Sequence, residues 1–108
     1  MSKEVTSTSF DSQLDTLGHV NRRRLLFALL NAEEVDLPIG IDQIASEAAE
    51  RDVLLSMHHV HLPKLEDRGF VDANMDLLSV TRGPRFDEIK PLLELLDTNR
   101  DQLPADWA

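Results

Sequence analysis

Three histidines near the middle of the chain have the side chains with the most varied chemistry. His58, His59 and His61 lie within four positions, and His58 and His61 would share a helix face at i and i+3. Neutral imidazole binds zinc and related metals, so this pair suggests a metal site. Such a site needs a third ligand, and nothing in the same helix supplies one in register. We therefore predict no metal and no cofactor, with His58 as a hydrogen-bonded core residue.

The helix that would carry these histidines is predicted to run from Asp52 to Arg68. Asp52 is a suitable N-cap, and Gly69 suits the left-handed position that ends a helix. Pro63 would bend this helix, either to fit it against the core or to aim its first turns outward. The inward positions recur at steps of four and three, at Leu54, His58, Leu62 and Leu65.

The outward face of this helix is the predicted binding surface. Hydroxyl, imidazole and small apolar groups can contact base edges in a DNA groove, whereas cations contact phosphates. The candidates for base contacts are Ser56, His59, Val60 and His61. The candidates for phosphate contacts are Arg51, Lys64, Arg68, Arg82 and Arg85. Arg82 and Arg85 could instead pair with nearby carboxylates, and this weakly basic, partly apolar face could also meet another protein.

A second group of cations, Arg22, Arg23 and Arg24, opens an almost continuously apolar helix that ends near Leu30. Cations at a helix N-terminus oppose the helix dipole. Either the cluster faces phosphates, or it pairs with the many surrounding carboxylates. Asn21 is the predicted N-cap of this helix.

The remaining elements surround these two helices. A short first helix carries Phe10, Leu14 and Leu17 and ends near Gly18. A polar connection over residues 31–40 leads to a short amphipathic helix over 41–48. After Gly69, alternating apolar residues predict a two-stranded hairpin with an acidic tip.

The last helix begins near Pro84 and is interrupted or bent by Pro91. Its apolar stripe exceeds what one small core needs, which leaves apolar surface for contact with a second copy of the chain. The predicted dimerisation residues are Phe86, Ile89, Leu92, Leu93 and Leu96. The alternative is that the stripe packs onto the chain's own first helix. Trp107 is expected to dock on the body or on the partner.

Composition limits the class of protein. The 108 residues fit a single domain, and the net charge of −9 argues against broad attraction to DNA or to anionic membranes. Eight arginines against three lysines on an acidic chain suit a high-salt cytoplasm, although an ordinary acidic protein would look similar. Cysteine is absent, which excludes disulfides and thiolate chemistry. No apolar run has the length of a membrane span, so we expect a cytoplasmic protein.

Catalysis is not expected. The sequence has no glycine-rich phosphate loop and no nucleophile motif, and its carboxylates are scattered as on a solvated surface. We therefore predict that the protein is not an enzyme.

A family resemblance adds to this interpretation. His61-Leu62, Leu65, Gly69 and Val71 resemble the HL..L...G.V end of the recognition helix in ArsR-like winged-helix regulators, and residues 17–26 are similar to their LADPTRLRIL opening. HVHLPKL (59–65) and VTRGPRFDEI (80–89) more closely resemble an uncharacterised winged-helix family common in haloarchaea. The likeness covers about residues 14–96.

The resemblance implies a mainly α winged helix-turn-helix with a small β-hairpin and an extra C-terminal helix. We expect a flexible N-terminus over 1–9, the domain with its dimerisation helix over 10–100, and a tail over 101–108. The expected function is that of a dimeric, double-stranded-DNA-binding transcriptional regulator. The alternative is a winged-helix module that binds a protein and not DNA.

Overall fold

The computed structural model describes residues 8–40, 60–74, 76–77 and 79–107. These residues form a mainly helical structure with a small three-stranded antiparallel sheet. The predicted helix over 41–48 and residues 52–59 of the predicted recognition helix lie outside the described ranges. The helices are α1 (Phe10–Thr16), α2 (Val20–Asn31), α3 (Leu62–Asp67) and α4 (Phe86–Thr98), and the strands are β1 (Ile39–Gly40), β2 (Val71–Asn74) and β3 (Ser79–Arg82).

Side chains cap the first two helices. The Ser9 hydroxyl accepts a hydrogen bond from the Ser12 amide at 3.0 Å and so begins α1. His19, and not Asn21, is the N-cap of α2, because its Nδ1 accepts the amide hydrogen of Asn21 at 3.1 Å. The prediction of Asn21 as N-cap was therefore wrong by two positions, and Asn21 lies buried in the first turn.

The connection after α2 contains more structure than its polar composition predicts. It forms a short 3-10 helix over Glu34–Asp36, a cis peptide bond between Leu37 and Pro38, and strand β1. Ile39 of β1 pairs with Val80 of β3, which makes a sheet of order β1-β3-β2. The predicted two-stranded hairpin is therefore part of a three-stranded sheet. A two-residue strand gives too short an alternating pattern to be recognised in a sequence.

The turn from α3 into β2 depends on glycine, as predicted. Gly69 has φ +80°, and the Phe70 amide donates to the Leu65 carbonyl at 3.0 Å, so the chain leaves the helix in a left-handed turn. The hairpin register runs from Val71 opposite Arg82 to Asn74 opposite Ser79. Gly83 then passes so close to the start of β2 that a Cβ there would lie 2.6 Å from the Gly69 carbonyl oxygen. These contacts fix the angle between α3 and the hairpin.

The last helix is continuous, so Pro91, which was predicted to bend or divide it, does not divide it. Pro91 lies inside α4, with its ring exposed, and the helix begins at Phe86, two residues after Pro84. Phe86, Ile89 and Leu93 are buried in the chain's own core. The core residues that they join come from α1, α2, α3 and the sheet: Leu17, Leu25, Leu26, Phe27, Leu29, Leu62, Leu65, Phe70, Val71 and Val80.

The segment after α4 folds back onto the body, as expected for Trp107. The Trp107 ring meets Phe27 edge-on with ring centroids 4.6 Å apart. Arg23 holds the same segment by donating to the backbone carbonyls of Asp106 and Trp107. Within the described ranges, no helix has the length and apolar character needed to cross a membrane.

Candidate functional site

The outward face of α3 is the described part of the predicted binding surface. Val60, immediately before α3, is 51% exposed, as the helical wheel predicts. Leu62 and Leu65 point into the core, also as predicted. Three further predicted contact residues, Arg51, Ser56 and His59, lie outside the described ranges, as does His58.

His61 is not on this surface. Its side chain was predicted to flank the outward face and to contact bases or phosphates, but the residue is only 2% exposed. Val60 and His61 form a π-helical turn before the α-helix that contains Pro63. A π turn adds a residue to the helical repeat, so a wheel drawn with 3.6 residues per turn misplaces His61. His61 therefore cannot reach DNA in this conformation.

The buried imidazole of His61 has a defined tautomer. Its Nδ1 lies 3.1 Å from Nη1 of Arg22, and a guanidinium can only donate, so Nδ1 accepts. The proton of the neutral ring is then on Nε2, which is buried and has no hydrogen-bond partner among the described residues. Both nitrogens therefore lack a free lone pair, which makes this ring unsuited to binding a metal.

Burial and nearby cations keep His61 neutral. Desolvation is the largest cause that lowers its pKa to about 4, and His19, Arg22 and Lys64 add to it. The His19 ring, 4.3 Å away between centroids, has a lowered pKa for the same reasons, with burial first and then Arg22 and Arg23. This pair of histidine rings packs the start of α2 against the start of α3.

Two predicted phosphate ligands on α3 are bound to a carboxylate of the same chain. Lys64 Nζ and Arg68 Nη2 lie 2.9 Å and 2.8 Å from the same Oδ2 atom of Asp15 in α1. Hydrogen bonds from Lys64 and then from Arg68 are the main causes that lower the pKa of Asp15 to about 2. Arg68 also donates to the Ser12 carbonyl and to the Thr16 hydroxyl. Arg68 therefore has a structural role that the sequence did not reveal.

The two arginines beyond the hairpin differ in their surroundings. Arg82 was predicted to contact phosphates or to pair with Asp72, Asp87 or Glu88. It instead donates to the carbonyls of Leu29 and Ala32 and forms an ion pair with Glu34 at 3.0 Å. Its side chain thus closes the C-terminal end of α2 and is a poor phosphate ligand.

Arg85 is half-buried at the N-cap position of α4, beside Gly69. A Cβ added at Gly69 would come within 3.1 Å of the Arg85 side chain, so the stem of Arg85 covers the glycine turn. Its position next to both α3 and the hairpin keeps it among the cations that could face a phosphate.

The arginine cluster of α2 caps a helix, which neither alternative from the sequence anticipated. Arg22 donates to the carbonyls of Thr16 and Asp15 at 2.7 Å and 3.0 Å, and Arg23 donates to that of Leu17 at 2.7 Å. These carbonyls lack partners inside α1 because it ends there. The signal available in the sequence was the position of Arg22 and Arg23, six and seven residues after the end of α1.

Few side chains in the described part of the hairpin tip could contact nucleic acid. The Asn74 side-chain oxygen accepts the amides of Asp76 and Leu77, at 3.1 Å and 3.2 Å, and so folds the turn. Leu77 is 72% exposed beside the acidic Asp72 and Asp76. The acidic character predicted for the tip is therefore present at its surface.

The predicted dimerisation stripe is mostly inaccessible. Phe86, Ile89 and Leu93 are at most 2% exposed, so they cannot meet a partner without unfolding. Leu92 and Leu96 are half-buried and line a groove of about 340 Å³ with Leu14, Leu17, Leu103 and Trp107. Leu14 is itself exposed, and so are Phe10 in α1 and Leu95 in α4. The apolar periodicity of α4 therefore marks the face that packs into the chain's own core. A different side of the helix is exposed.

No family model, no curated protein and no solved structure matches the chain. Within the described ranges, no group of three or more histidine or acidic side chains could hold a metal ion.

Proposed function

We propose that the chain is a winged helix-turn-helix domain that binds double-stranded DNA as a transcriptional regulator. The observation that carries this proposal is the arrangement around α3: a short upstream strand, the helix, a left-handed glycine turn and an antiparallel hairpin, with the sheet order β1-β3-β2. A winged helix joins its recognition helix to its wing in this way. The resemblance of residues 61–71 to ArsR-like regulators supports the same proposal.

Recognition would depend on base contacts and DNA shape more than on charge. The net charge is −9, and three of the predicted phosphate ligands, Lys64, Arg68 and Arg82, are engaged by carboxylates of the chain. Counterion release, which dominates non-specific binding, would then contribute little. Val60, which is exposed, would face the groove, where small apolar groups can meet thymine methyls.

Selection from random duplexes in molar salt tests the proposal. We expect an enriched motif, and we expect Val60→Ala to change its sequence. Leu77→Ala, which alters another exposed apolar residue, at the hairpin tip, is the control and should leave the motif unchanged. Recovery of unenriched sequences in all three selections would refute the proposal.

We also propose that the regulator is a cytoplasmic homodimer. Supporting observations are the exposed Phe10, Leu14 and Leu95 and the apolar groove between α1, α4 and the C-terminal segment. Exposed apolar side chains grouped in this way are typical of protein interfaces. Sedimentation in high salt should give a dimer, and a monomer at micromolar concentration would remove this part of the proposal.

The second candidate is a winged-helix module that binds another protein and not DNA. It is favoured by the same apolar groove between α1, α4 and the C-terminal segment. It is also favoured by the ion pairs that the cations on α3 form with a carboxylate of the chain. If selection recovers no motif and no duplex is retained, this candidate replaces the first.

A further inference from the structure

The ion-pair cluster of Asp15, Lys64 and Arg68 connects α1 to the outward side of α3. Both cations contact one carboxylate oxygen, at 2.9 Å from Lys64 and 2.8 Å from Arg68. The Asp15 side chain is 54% exposed, whereas those of Lys64 and Arg68 are 35% and 24% exposed. The carboxylate therefore belongs to the most exposed side chain of the three.

The carboxylate occupies the groups that a phosphate would use. Ammonium and guanidinium groups bind carboxylate and phosphate oxygens through the same charge-assisted hydrogen bonds. The other terminal nitrogen of Arg68 already donates to Ser12 and Thr16, so Nη2, which Asp15 holds, is the more available end. A phosphate that approaches this end of α3 meets the negative charge of Asp15 first.

We propose that Asp15 is an autoinhibitory phosphate surrogate, which nucleic acid must displace from Lys64 and Arg68 in order to bind. This inference rests on the proposed DNA-binding function. Its physical consequence is reciprocal coupling: whatever weakens the contact of Asp15 with α3 strengthens duplex binding, and duplex binding loosens α1. The contact would discriminate against weak, non-specific phosphate binding, because only a duplex with additional base contacts would displace the carboxylate.

Asp15→Asn tests this proposal, because the amide keeps the shape of the side chain and removes its charge. Asp67→Asn is the matched control, since it makes the same change of charge on an exposed residue of α3 itself. We expect Asp15→Asn to bind a selected duplex roughly threefold to tenfold more tightly than the unmodified protein, and to gain more than Asp67→Asn does. When Lys64→Gln is also present, Asp15→Asn should increase duplex affinity by less, because one of the two cations that Asp15 holds is then absent.

The outcomes separate this inference from the proposed function. If the unmodified protein binds a selected duplex and Asp15→Asn gains no more than Asp67→Asn, the surrogate role is refuted and the DNA-binding proposal stands. If only Asp15→Asn retains duplex, both are supported. If none of the proteins retains any duplex, the proposed function fails and the surrogate role fails with it.

A measurement on the unmodified protein covers the case in which Asp15→Asn does not fold. Hydrogen exchange of the α1 amides should become several-fold faster when the duplex is bound, because α1 loses its ionic contact with α3. Unchanged or slower exchange in α1 on binding would overturn the inference.

Discussion

Arg22 and His61 lie 39 positions apart in the chain and share a buried hydrogen bond of 3.1 Å, from Nη1 of the arginine to Nδ1 of the histidine. The same guanidinium donates to the last carbonyls of α1, at Asp15 and Thr16. One side chain therefore joins the end of α1, the first turn of α2 and the start of α3. Because a guanidinium remains charged, this junction depends on His61 remaining neutral.

The neutral state of His61 predicts a dependence of stability on pH. Its pKa is about 4 in the folded protein, against 6.5 for an ordinary exposed histidine, so the unfolded chain binds more protons between these values. The free energy of unfolding should therefore fall as the pH is lowered from 6.5 to 4, by at most about 3 kcal/mol from this residue. Urea unfolding at several pH values in constant salt measures the slope.

His61→Gln is the variant for this test, because its side-chain oxygen can still accept from Arg22. We expect a shallower slope between pH 6.5 and 4, with the remainder coming partly from His19. The Asp15 ion pairs are common to both proteins, so their effect cancels in this comparison. The pKa of that carboxyl is lowered from 3.8 to about 2, so most of its stabilisation is lost below pH 4. An unchanged slope in His61→Gln would contradict the assignment of a neutral, buried His61.

Arg22 is expected to be the most important arginine of its cluster for stability. Arg22→Ala would leave the Thr16 carbonyl and the His61 ring without this donor and the Asp15 carbonyl with only the Gly18 amide, which should lower the free energy of unfolding by about 2–4 kcal/mol. Arg24→Ala, two positions along the same helix at an exposed site, should change it by less than about 0.5 kcal/mol. Equal effects of the two substitutions in chemical denaturation would show that the capping contacts of Arg22 are unimportant.

The sequence predicted the features that follow from periodicity and from glycine. The apolar steps of α2 and α4, the left-handed turn at Gly69 and the docking of Trp107 are all present. It did not predict which charged groups meet, because a contact such as Lys64 with Asp15 depends on how separate helices pack and not on local spacing. For the same reason the periodicity of α4 marked an apolar face without showing whether that face meets the core or a partner.

The burial of α4 changes the expected effects of substituting its leucines. Leu93 is fully buried, so Leu93→Glu should unfold the domain and not merely separate a dimer. Leu95 is 61% exposed, so Leu95→Glu should leave the fold intact and shift sedimentation towards the monomer. Leu77→Glu at the exposed hairpin tip is the control and should leave the oligomeric state unchanged. A folded Leu93→Glu variant would contradict the packing described for α4.

Any side chain at Gly83 is expected to lower the stability of the fold. A Cβ there would lie 2.6 Å from the Gly69 carbonyl oxygen and 2.7 Å from the Val71 amide nitrogen, both backbone atoms of the turn that joins α3 to β2. Gly83→Ala should therefore lower the free energy of unfolding by about 1–3 kcal/mol through a forced backbone shift. Gly18→Ala, whose nearest new contact would be 3.2 Å, should have a smaller effect in the same thermal melts. A neutral Gly83→Ala substitution would contradict the close approach of these backbone segments.

We propose that this domain distinguishes one DNA sequence from another. The direct measurement is an equilibrium titration of the protein with its selected duplex and with a scrambled duplex of the same composition, in molar salt. We predict that the selected duplex binds at least about a thousandfold more tightly, the lower end of the range for specific regulators. Equal affinity for the two duplexes, or no binding to either, would contradict the claim.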